Sequence, residues 1–100
     1  MFPTSEMLDG IGRELEKMKI RDALVAAHPE WEDWIDDSRP GPLLVVSDPR
    51  GINVAIGKAQ APGSHIVRWM VVAYDGEFHR EPVGMDAFVA AVEEALALQP

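Results

Sequence analysis

The stretch Ile66-Val67-Arg68-Trp69-Met70-Val71-Val72-Ala73-Tyr74-Asp75-Gly76-Glu77-Phe78-His79-Arg80-Glu81-Pro82 decides how this chain folds. Ile66 to Tyr74 is apolar on both strand parities apart from Arg68, the pattern of a strand whose two faces are covered. Asp75-Gly76 is a strong hairpin signal, because the tight turns that match strand twist need residues that tolerate positive φ. The polar run Glu77-Phe78-His79-Arg80-Glu81 then returns as a partner strand, and Pro82, which has no N–H to donate, places it at a sheet edge.

Upstream, Leu43 to Ser47 is a short continuous apolar run followed by Asp48-Pro49-Arg50-Gly51, a type I turn with proline second and glycine fourth. Ile52, Val54 and Ile56 alternate with Asn53, Ala55 and Gly57, which gives a half-buried second strand. Lys58 to His65 reads as a loop through Pro62-Gly63. Downstream, Gly84 opens a helix whose Met85, Phe88, Val89, Val92 and Leu96 form one stripe, with Asp86 near the positive end of its dipole.

The first forty residues are helical in pattern. Thr4 or Ser5 can cap a helix with Glu6 in its first turn, and Leu8, Ile11, Leu15 and Met18 follow at helical spacing. At about 100° per residue, the next apolar set, Ile20, Leu24, Ala27 and Trp31, projects to nearly the opposite side. A break or bend between Lys17 and Asp22 is the expectation, since Gly10 and Gly12 already weaken the first half by about 1 kcal/mol each relative to alanine. Pro29 ends the helix at His28 and suits the first turn of a short second helix through Ile35, with Trp31, Trp34 and Ile35 on one face. Asp36-Asp37-Ser38-Arg39-Pro40-Gly41-Pro42 is loop by composition. The fold expected is a single α+β domain over residues 1–100, in the order α-α-β-β-β-β-α, with about four antiparallel strands and the N- and C-terminal helices packed on one face.

Composition narrows the functions available. Seventeen acidic residues against nine Lys and Arg give a net charge of −8, a field that opposes direct nucleic-acid binding and favours a partner with a basic surface. Cysteine is absent, which removes disulfides, thiolate metal sites and a thiol nucleophile. The N-terminal residues carry neither a basic leader nor an apolar stretch of signal length, and the longest apolar run could not span a bilayer, so the expectation is a cytoplasmic protein with no membrane attachment.

The search for chemistry yields no catalytic set. None of Ser5, Ser38, Ser47 and Ser64 lies in a nucleophile elbow, and the adjacency of Ser64 and His65 does not by itself supply an oriented triad. Gly51 to Lys58 has five residues between its glycines and Ala59 where a phosphate loop needs a hydroxyl, so it reads as a strand. His28, His65 and His79 show no metal-ligand spacing; His79 with Glu77 or Glu81 could share a strand face, but an exposed edge histidine is the simpler reading. The expectation is no enzyme, no metal and no cofactor.

Two surface features remain. Glu30, Glu32, Asp33, Asp36 and Asp37 crowd together without an intervening base, beside Trp31 and Trp34 and before Arg39. If the tryptophan face is buried, the segment is an ordinary amphipathic helix; if exposed, it is an acidic–aromatic surface with anchors surrounded by charge. Arg13, Lys17 and Arg21, spaced by four, form a basic ridge read as a solvated face. In size, acidity, lack of cysteine and helix–sheet–helix layout the chain is similar to small bacterial immunity proteins, to phage-encoded inhibitors of host defence such as anti-CRISPR proteins, and to compact secretion chaperones. That class resemblance implies a non-enzymatic protein that binds and inhibits or regulates a partner. The expected site is Glu30, Trp31, Glu32, Asp33, Trp34, Asp36, Asp37 and Arg39. The alternative is a homodimeric structural or chaperone-like adaptor module pairing through an exposed edge, either the Ile52–Lys58 strand or the Glu77–Glu81 strand.

Overall fold

A computed structural model describes residues 5–60, 63 and 67–98, with side chains described from Leu15 onward except for Gln60. The chain runs α1 (Ser5–Ala27), a 3-10 turn (Pro29–Trp34), β1 (Ile35–Asp36), β2 (Leu43–Ser47), β3 (Asn53–Gln60), β4 (Val67–Ala73), a short 3-10 turn (Tyr74–Gly76), β5 (Phe78–Arg80) and α2 (Met85–Ala97). The five strands form one antiparallel sheet in sequence order. This is the expected α+β layout with one further strand, β1, a two-residue edge that pairs Ile35 with Val46 and Asp36 with Val45.

Strand alternation sorts the sheet into two faces. Leu44, Val46, Val54, Ile56, Val71, Ala73 and Phe78 are buried and pack with Ile20 and Leu24 of α1 and Phe88, Ala91, Val92 and Ala95 of α2. Both helices therefore lie on one face. Cross-links tie α2 down there: Arg80 donates to Glu94 at 2.6 Å, and Trp69 meets Phe88 edge-on at 6.0 Å. Two side chains close its C-terminal end, where unpaired carbonyls attract donors. Arg50 donates to the Leu96 carbonyl, and the Tyr74 hydroxyl is within 2.7 Å of the Ala95 carbonyl and 2.6 Å of that of Leu98.

Three expectations require correction. First, α1 does not break between Lys17 and Asp22; it is continuous from Ser5 to Ala27. A helix need not break to change its buried side if one apolar stripe stays in water, and Leu15 and Met18 are 59% and 42% exposed while Ile20 and Leu24 are buried. The side chains of Leu8 and Ile11 lie outside the described residues, as does the Thr4 cap. Second, the Ile52–Lys58 segment is not an edge: β3 is the middle strand, paired along both sides. Its alternation marked one buried face, and burial of one face does not place a strand within a sheet. Third, the expected cover on both faces of β4 is not found: among the described residues helices lie only over the face of Val71 and Ala73, and the neighbouring strands flank β4 without covering its faces. The edge position of β5 agrees with Pro82.

The basic ridge is also not a solvated face. Lys17 is 2% exposed and donates to the carbonyls of Arg39 at 2.7 Å and Gly41 at 3.2 Å. Its stem crosses apolar surface and its ammonium ties the 37–42 loop to α1. Arg21, half-buried, lies 3.1 Å from Asp37. Arg13 is outside the described side chains.

Candidate functional site

The acidic segment begins where α1 ends. The His28 N–H donates to the Leu24 carbonyl, and Pro29 starts the 3-10 turn, whose first Trp31 N–H reaches back to the His28 carbonyl. With three residues per turn, positions three apart fall in register. Trp31 consequently points inward, 4% exposed, while Trp34 is half-buried against the same core. His28 stacks on Trp31 at 4.0 Å, and Trp31 on Trp34 at 6.5 Å. For Trp31 the choice between core and surface is thus settled by burial: it anchors the turn to the core, and Trp34 retains partial exposure.

Because Trp31 is pinned inward, Glu30, Glu32 and Asp33 are held outward and all three are exposed. Glu30 lies 3.4 Å from Nδ1 of His28, whose Nε2 lies 3.3 Å from Glu93 of α2. Glu32 and Asp22 approach Arg21 at 3.9 and 3.6 Å. Asp33 has no ion-pair partner among the described residues. Asp36 is more engaged: it accepts from the N–H and hydroxyl of Ser38 and lies 3.5 Å from Arg39. The Ser38 donors, followed by Arg39, hold its carboxyl below the ordinary aspartate value.

The fold therefore brings the eight expected residues into one neighbourhood without giving them one role. Trp31 is structural, Asp36 and Arg39 pair within the loop, Asp37 pairs with Arg21 of α1, and Glu30, Glu32 and Asp33 form the outward charge, Glu30 beside His28, Glu32 at the far reach of Arg21 and Asp33 without an ion-pair partner among the described residues. Sequence reading missed Asp22 and Glu93, which join this surface from α1 and α2; nothing in linear spacing signals them. A shallow hollow of about 460 Å³ adjoins it, lined by His28, Trp34, Arg50, Glu93 and Leu96 among others.

A second hollow, about 690 Å³, lies between α1, β4 and the start of α2. At its wall Glu16 accepts from Trp69 Nε1 at 2.6 Å and from Lys58 at 3.1 Å. The Trp69 hydrogen bond, more than Lys58, lowers the Glu16 pKa against the opposing effect of burial. These three satisfy one another, which makes the cluster a clasp between α1 and the sheet.

Ser64 and His65 lie outside the described residues, and His79 is exposed on β5. Lys58, in the glycine-bounded segment, lies on the central strand. Among the described residues, no three His, Asp or Glu side chains are placed to hold a metal ion, and no helix is long and apolar enough to cross a membrane. Fold and surface define an α+β domain of one sheet and two helices with an acidic face. Comparison with protein-family models, with curated proteins and with solved structures gives no significant match in any of the three.

Proposed function

We propose that this protein acts without catalysis in the cytoplasm, by binding a macromolecular partner through a basic surface on that partner and so inhibiting or regulating it. The observation that supports the reading is the outward set Glu30, Glu32 and Asp33 on a turn fixed from below by Trp31. Rigid display matters because charge placed on an ordered turn steers association without an ordering cost at binding. Asp22 and Glu93 widen the field, and the partly exposed Trp34 supplies an apolar contact beside it. The partner is best sought among proteins with a cationic groove, because an acidic surface is drawn to one. Occupying such a groove blocks it by exclusion alone.

The test is a capture experiment from lysate of the native host with two baits, the wild-type protein and a Glu30→Lys/Glu32→Lys/Asp33→Lys variant. A basic protein retained at low salt by the first bait and lost by the second, with equal thermal melts for both baits, is the expected result. Equal retention of the same proteins by both baits would contradict the reading.

A further inference from the structure

Both ring nitrogens of His28 face a carboxylate, and the two carboxylates belong to different elements. Nδ1 lies 3.4 Å from Glu30 of the acidic turn, and Nε2 lies 3.3 Å from Glu93 of α2. The ring is fixed in that orientation by Trp31, on which it stacks with the centroids 4.0 Å apart and the planes 18° from parallel, and Trp31 is itself buried. The His28 side chain is 31% exposed, enough to exchange protons with water.

The charges around the ring leave its protonation to decide the contact. Across the adjoining hollow stand Asp48 and Arg50 of the β2–β3 turn, which pair with each other at 2.7 Å, and Arg50 also donates to the Leu96 carbonyl. Among the described residues Glu30 and Glu93 have no cationic partner other than His28. A neutral imidazole carries one N–H and one bare nitrogen, so it donates to one carboxylate and turns a lone pair toward the other, which is repulsive. Imidazolium, with two N–H groups, donates to both, and each bond gains from the charge.

We infer that His28 is a proton-operated clasp between the acidic turn and α2. Charged, it holds Glu30 and Glu93 at once and completes the link from the turn to α2; neutral, it keeps one carboxylate and releases the other. Histidine side chains change charge between about pH 5 and 8, so the clasp answers to mild acidification. Its effect on a partner rests on the function proposed above: closing the clasp adds a positive charge beside Glu30 and ties down one of the three outward acids, so a basic partner associates more slowly in mild acid. The clasp itself does not depend on that reading.

Amide hydrogen exchange on the whole protein, expressed as protection relative to an unfolded chain, tests it. In wild type the Trp31 and Ile35 amides, both bonded within the turn, should be at least roughly threefold better protected at about pH 5.5 than at about pH 7.5. His28→Gln, whose side chain does not titrate, should lose that difference. Glu93→Gln should lose it in the opposite sense: its amide N–H can donate to the bare ring nitrogen, so the clasp closes at both pH values and protection at about pH 7.5 rises to the wild-type acid value. A contact with a purely structural role would instead be weakened by Glu93→Gln at both. Glu93 has a side chain 50% exposed, so this variant keeps the fold and decides the matter even where His28→Gln does not fold. Wild-type protection indifferent to pH, or Glu93→Gln less protected than wild type at about pH 7.5, overturns the inference. Because exchange is measured on the protein alone, its failure refutes the clasp and leaves the partner reading intact, whereas failure of the capture experiment refutes the partner reading and leaves the clasp intact.

Discussion

Lys17 shows how a charged side chain can hold a fold together while its spacing suggests a solvated ridge. Its ammonium is the described donor to two loop carbonyls, so Lys17→Met preserves apolar volume and removes both bonds. The expected loss is about 1–3 kcal/mol in denaturant unfolding, with faster amide exchange in residues 38–42. Asp48 is similar at the opposite end of β2 from the Lys17 contacts. Burial, its largest influence, raises the carboxyl pKa, but the Ile52 N–H, the Arg50 guanidinium and the Arg50 N–H together outweigh it and the value falls below the ordinary one. A carboxyl with a depressed folded value stabilises fully above its unfolded pKa and loses that contribution as pH falls through the folded value. Unfolding free energy should decline below about pH 4 in the wild type. Asp48→Asn should be less stable at neutral pH and show a shallower decline. Trp31→Ala should cost about 3–5 kcal/mol in the same assay, as expected of a core aromatic.

At the level of elements, β4 carries the clearest contrast between the sheet's two sides. Val71 is fully buried under the helices, and its neighbour Val72 lies on the opposite face, half-buried and uncovered by any helix among the described residues. Val71→Asp should abolish the cooperative thermal transition, because it forces an unpaired charge into the core, while Val72→Asp should melt within a few degrees of wild type. Loss of the transition in both variants would mean that the second face is covered as well. The sequence made the strand runs, the two hairpins and α2 legible, because alternation, turn residues and a coherent stripe are local signals. The two-residue β1 was not, since Ile35-Asp36 is extended only through its pairing with Val45 and Val46. Nor could an apolar run such as Val67–Ala73 say what lies over each face: helices and a second sheet select the same residues.

For the whole molecule, a charge of −8 is distributed unevenly, and the candidate site was only partly readable for that reason. The run from Glu30 to Asp37 announced an acidic patch, but its division into anchor, neutralised acids and outward acids depends on Trp31 turning inward and on Arg21 arriving from α1. Asp22 and Glu93 reach the patch only through tertiary packing. If this surface governs encounter with a basic partner, the association rate for the captured partner must depend on salt. Between about 20 and 200 mM salt the wild-type rate should fall at least tenfold, and at low salt the Glu30→Lys/Glu32→Lys/Asp33→Lys variant should associate at least tenfold more slowly than wild type. An association rate indifferent both to salt and to those three substitutions would mean that the acidic turn does not steer the encounter.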